Sequence, residues 1–166
     1  MRVFVGIDPG LSGGLAAIDG VGRIVDVMPM PRLNGSSGPL DMHAIKSWFS
    51  TLKKRGDVVA ALERVSARPG EGVKSTLTAG VNWGFLKGML IAISARHSEP
   101  TPQQWKKELG LPKRTGKERK QAKQDAIALA TQLFPGIDLT PGRRRVPHDG
   151  MADAVLVAEY ARRRLG

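Results

Sequence analysis

Short apolar runs that stop on turn-forming or charged residues dominate the first third of the chain. Longer runs with apolar positions three or four apart dominate the rest. Val3, Phe4, Val5 and Ile7 predict a strand over 3–8 that stops on Asp8 and opens into Pro9-Gly10-Leu11-Ser12-Gly13-Gly14. Strands over 14–18 and 23–28 follow, joined by Asp19-Gly20-Val21-Gly22, which makes Asp19 a turn residue. Residues 29–39, rich in proline, glycine and serine, read as a loop. Asp41 then caps a helix with Ile45, Trp48, Phe49 and Leu52 at helical spacing, so Trp48 belongs to the core. Val58-Val59-Ala60-Ala61-Leu62 is a fourth strand, and it too stops on a carboxylate, Glu63.

A loop through Pro69-Gly70-Glu71-Gly72 leads into a long helical stretch over 75–94, where Gly80, Gly84 and Gly88 fall on one face. Each glycine costs about 1 kcal/mol against alanine in a helix, so three in register call for a close neighbour. Either the protein's own sheet or a partner's helix would serve. A short strand follows Ala95, and Thr101-Pro102 opens a helix holding Trp105, with threonine as cap and proline at the first helical position. Further helices are expected over 116–134 and from His148-Asp149-Gly150-Met151-Ala152-Asp153 onward.

Charge narrows the class. The 166 residues suit one domain, 1–166, that buries about 70% of its unfolded surface. Lys and Arg number 26 against 15 Asp and Glu, a net +11 that points to a polyanionic partner, most simply nucleic acid. Residues 106–145 are the most basic part, with eleven Lys or Arg, four Asp or Glu and a net of +7. Lys113, Arg114, Lys117, Arg119, Lys120, Lys123 and the Arg143-Arg144-Arg145 triplet are the candidate phosphate contacts there, joined by Arg64, Arg68 and Lys74 after the fourth strand. There is no cysteine, which excludes a disulfide framework, a thiolate nucleophile and a cysteine zinc site. Asp8 interrupts the N-terminal apolar run too early for a leader, and no run approaches the roughly 18–20 residues of a membrane span. The expected location is the cytoplasm, with no membrane partner.

The acids carry the chemistry. Asp8 and Glu63 each end a strand, and Asp149 and Asp153, four apart, share a face if the last helix starts early enough. Such a set is a candidate cage for hard divalent cations, which take oxygen ligands and keep several waters. Each acid also has a plainer role open to it: Asp149 as a helix cap, Asp153 as a solvated helix residue, Glu63 as an ion-pair partner. His148 reads as a loop or supporting residue, with a place among the ligands left open.

Gly6-Ile7-Asp8-Pro9-Gly10, Leu62-Glu63-Arg64-Val65 and His148-Asp149-Gly150-Met151-Ala152-Asp153-Ala154, in this order and over this length, resemble the RuvC-type Holliday junction resolvases. The variant at the last element is most similar to phage-encoded and plastid-like members. The resemblance implies an α/β, RNase H-like fold with a five-stranded mixed sheet flanked by helices. It implies symmetrical nicking of four-way DNA junctions by a homodimer, formed through the helix bearing Gly80, Gly84 and Gly88. Asp8, Glu63, Asp149 and Asp153 would hold Mg²⁺ or Mn²⁺, two per site. The chain departs from the family where Asp149 and Asp153 are spaced by four rather than three, and where Arg64-Val65-Ser66-Ala67-Arg68 lacks the aromatic junction wedge. The rival readings are an RNA-processing nuclease of the same fold, a catalytically silent DNA-binding module and an actin-like ATP-binding enzyme. The last needs far more chain than this.

Overall fold

Strict alternation along the strands decides which face of the sheet each side chain takes. In β1 (Arg2–Asp8), Val3, Val5 and Ile7 face one way, and Phe4, Gly6 and Asp8 the other. The same alternation runs through β2 (Gly14–Asp19) and β4 (Asp57–Leu62), where Ala16, Ile18, Val59 and Ala61 join Phe4. In the computed structural model, which describes residues 1–35, 38–66, 70 and 72–166, these strands combine with β3 (Ile24–Pro29) and β5 (Arg96–Ser98) in the order β3-β2-β1-β4-β5. β1, β2 and β3 form an antiparallel meander, and β4 and β5 add in parallel to β1. β1 is therefore central. This is the five-stranded mixed sheet that the resemblance implied.

One core lies between the Val3 face and two crossover helices, α1 (Met42–Arg55) and α2 (Val73–Ala92). The other lies between the Phe4 face and α3 (Pro102–Glu108), α4 (Arg119–Leu133) and α5 (Asp149–Leu165). Along α5, Ala152 and Ala154 through Ala158 are fully buried, the mark of a helix with neighbours on nearly every side. Gly6 explains how close it comes: a Cβ there would collide with the Ala154 carbonyl oxygen and the Ala158 nitrogen. Gly150 does the same from the helix side, lying against Ser12 and Gly13. Backbone thus meets backbone where α5 crosses β1 and the turn after it.

Most local expectations are met. Asp41 caps α1 by accepting the Ala44 N–H at 2.9 Å, Asp19 Oδ1 accepts the Val21 and Arg23 N–H groups at 2.9 Å each, and Trp48 is buried with its indole N–H donated to Asp26 at 2.8 Å. Thr101 and Gln104 cap α3 reciprocally. Two details differ, and two open alternatives are decided. α2 starts two residues earlier than its apolar pattern indicates and also stops two residues earlier, where Ser94 takes a left-handed φ of 53°. The helix expected over 116–134 is a 3-10 turn, Gly116–Glu118, followed by α4, since Glu118 turns back to accept the Thr115 N–H at 3.1 Å. The cap of α5 is His148, whose Nδ1 accepts the Met151 N–H at 3.3 Å, so Asp149 is not the cap but the first helical residue. Finally, Gly80, Gly84 and Gly88 do not pack on the protein's own sheet: no atom lies within 4 Å of a Cβ built on any of them. Among the described residues, no helix is long and apolar enough to cross a membrane.

Candidate active site

Parity and register bring the two strand-end acids together. Asp8 is the last residue of β1, and Glu63 follows β4 directly, its N–H donating to the Ile7 carbonyl at 3.0 Å to extend the parallel ladder. Asp8 continues the row of Phe4 and Gly6, and Glu63 that of Val59 and Ala61, so both belong to the face covered by α5. Asp149 and Asp153 lie one turn apart on α5, whose first turn the glycine contacts press against the end of β1. Three elements thus deliver four carboxylates to one corner of the sheet.

Their electrostatics show that they act on one another. Burial pushes Asp8 up, the Gly10 N–H at 3.2 Å pulls it down, and Asp149 adds repulsion. Glu63 is pushed up to about 8, chiefly by burial and then by Asp8 and Asp153, against the Trp105 indole that donates to it at 2.6 Å. Asp153 rises to about 7 through burial and the charge of Asp8. Asp149 alone goes the other way. Burial raises it, but the hydrogen bond and charge of Lys123, whose Nζ lies 2.5 Å from its Oδ2, bring it below the ordinary value. His148 is pulled below the ordinary imidazole value by burial and then by the charge of Arg144.

Two residues the sequence reading passed over belong to this corner. Trp105 is fully buried and holds Glu63 in place, and Lys106 beside it offsets the charges of Asp8, Glu63 and Asp153. The Lys106 ammonium lies 5.1 Å from the centroid of the Trp105 ring. The reciprocal cap of α3 offered the only local signal, since it sets which residues of that short helix turn inward.

The candidate DNA contacts divide. Lys74, Lys113, Lys117, Arg119, Lys120 and Arg143 to Arg145 are exposed. Arg114 is held by Asp125 at 2.9 Å and Glu118 at 3.2 Å, and Lys123 is engaged by Asp149. Arg64 stands exposed beside Glu63, 4.0 Å from Glu99. Arg68, like Ala67, Pro69 and Glu71 around it, lies outside the described residues.

No family model and no curated protein matches the sequence. Solved structures do. A structure of T. thermophilus RuvC in complex with Holliday junction substrate aligns over 98% of this chain and 96% of its own, with a TM-score of 0.67 at 18% identity. A second Thermus thermophilus RuvC structure aligns over 94% and 90%, with a TM-score of 0.56 and again 18% identity. The chain has the RuvC fold. In the terms of the RuvC fold, Asp8 lies at the end of the central strand, Glu63 just past the next strand, and Asp149 and Asp153 on the last helix packed against them.

An all-oxygen donor set of four carboxylates, two of them held well above their usual range by burial and mutual repulsion, fits a hard divalent cation chemically. Among the described residues, no three acidic or imidazole side chains are gathered into a ready-made cage. Lys123 and Lys106 supply the compensating charge instead.

Proposed function

We propose that this chain is a divalent-metal-dependent endonuclease that resolves four-way DNA junctions by paired nicks. The observation that carries this reading is the convergence of Asp8, Glu63, Asp149 and Asp153 at the end of the central strand of a RuvC fold, bordered by cations. Asp8 and Glu63, with Asp149 and Asp153 across from them, would hold Mg²⁺ or Mn²⁺. One or two such cations, when bound, lower the pKa of a coordinated water and neutralise charge on a scissile phosphate. The chain's own residues do the rest. The Gly10 N–H and the Trp105 indole orient Asp8 and Glu63. Lys106 holds positive charge where the attacked phosphate gathers negative charge. Arg143 to Arg145, immediately before His148, and the exposed lysines of the loop before α4 grip the backbone on either side.

The open face of α2 supports a homodimer. Gly80, Gly84 and Gly88 share it with Leu77, Val81 and Ile91, all exposed, so a second copy's helix can approach closely there. Two sites would then address opposing strands.

Single-turnover cleavage of a labelled four-way junction, beside duplex and structured RNA, tests the reading. Paired nicks that need Mg²⁺ and vanish in EDTA and in Asp8→Asn are expected. The Lys123–Asp149 bridge, which neutralises one acid without metal, favours a second reading as a silent DNA-binding module. Tight junction binding with no metal-dependent cut on any substrate would establish that one.

A further inference from the structure

Away from the four acids, several charged side chains meet around Glu99, just past β5. Its carboxylate, 17% exposed, forms an ion pair with Lys87 of α2 at 2.8 Å and lies 3.9 Å from His97 Nε2 and 4.0 Å from the Arg64 guanidinium. Lys87 is held on two sides, since its ammonium also lies 4.9 Å from the centroid of the Trp83 ring. Arg64 is held differently. Its backbone N–H donates to the Pro100 carbonyl at 2.9 Å, which ties the residue after Glu63 to the segment that carries Glu99. At 4.0 Å its side chain is too far from Glu99 for a hydrogen bond, and it is 56% exposed.

That combination is the informative part. Coulomb attraction restricts where the guanidinium swings while leaving its fork of N–H donors without a hydrogen-bond acceptor among the described residues, the state in which arginine best meets a phosphate. A bare carboxylate beside a DNA path would repel the backbone, but Lys87 cancels the charge of Glu99. The group as a whole is left with the one positive charge of Arg64, next to Glu63.

Building on the nuclease reading above, we propose that Glu99 is a positioning residue: it holds the Arg64 guanidinium, anchored beside Glu63, on the phosphate next to the cut. It touches no substrate itself. Its effect is therefore on the cleavage step of bound junction and not on binding, and it passes through Arg64.

A double-mutant cycle on the full chain tests this. Junction affinity in EDTA, single-turnover cleavage at saturating protein in Mg²⁺ and thermal midpoint are read for wild type, Glu99→Gln, Arg64→Gln and the pair. Glu99→Gln is expected to slow cleavage about tenfold with affinity unchanged or slightly tighter, and the pair to be no slower than Arg64→Gln alone. Lys87→Gln is the control: it uncovers the Glu99 charge and is expected to weaken junction binding, but it leaves Glu99 facing Arg64, so the bound junction is cleaved at the wild-type rate at saturating protein. Losses that multiply in the pair, or a Lys87→Gln that reproduces Glu99→Gln, would overturn the inference while leaving the nuclease reading intact. A wild type that cuts no DNA would overturn both. If Glu99→Gln does not fold, Glu99→Asp takes its place, with a smaller loss that must again vanish in the Arg64→Gln background.

Discussion

Two sets of three glycines behave in opposite ways in this molecule. Gly6, Gly14 and Gly150 lie where the α5 backbone meets the sheet and the turn after β1, and a Cβ on any of them would strike main-chain atoms. Gly80, Gly84 and Gly88 lie on the outer face of α2 with nothing within 4 Å. The first set lets a helix carrying two acids settle onto the strand that carries a third, and so makes the site. The second set costs α2 helical stability with no return inside the chain. Glycine spacing alone does not say which of these a helix is doing; the other side of the contact does.

Filling the crowded set should do the most harm. Gly6→Ala is expected to cost about 3 kcal/mol, since neither backbone can yield as a side chain would, and to lower cleavage further by moving Asp149 and Asp153 off Asp8. Urea denaturation and single-turnover kinetics would show both. The same crowding leaves a pH signature that the α2 face lacks. Glu63 is raised from 4.5 to about 8 and Asp153 from 3.8 to about 7, so the folded protein keeps protons the unfolded chain has released. In EDTA, these two groups therefore make stability fall as pH rises from the unfolded values of 4.5 and 3.8 through about 8 and 7. Mg²⁺ should oppose the fall, and the gap between thermal midpoints with and without it should widen with pH.

Trp105→Phe keeps the ring in the core but removes the donor to Glu63. A loss of about 2 kcal/mol is expected, with the pH–rate profile displaced upward because the indole bond, ahead of Lys106, lowers Glu63. In the open set, Gly84→Ala should instead raise the stability of the monomer by about 1 kcal/mol and weaken self-association, read by sedimentation. A stabilised Gly84→Ala that associates as wild type would remove α2 from the dimer. Arg144→Ala should have the mildest effect, weakening junction, duplex and single strands alike and reducing the salt dependence of log K by about one.

The strands, their stops on Asp8 and Glu63, and the caps Asp41 and Thr101 were legible because each depends on neighbours a few residues away. The cap of α5 stayed open in the sequence because two adjacent residues could serve. Asp149 has the usual capping carboxylate, yet the buried His148 ring reaches the Met151 N–H, and Asp149 turns to Lys123. Lys123 and Arg114 illustrate the same limit. Both read as free cations, and both have acidic partners that only folding brings near.

By itself, then, the sequence determined the alternation that puts Asp8 with Gly6 on one face and the four-residue spacing that puts Asp149 with Asp153, since both follow from the periods of strand and helix. It also determined the excess of positive charge. Only the tertiary structure decided that Trp105 and Lys106 serve Glu63, that Glu99 gathers Lys87 and Arg64, and which glycines are crowded and which are open. Trp105 and Glu63 are 42 residues apart, and across such a gap local propensity says nothing about which side chains will meet. That is settled by how closely the helices come to rest on the sheet.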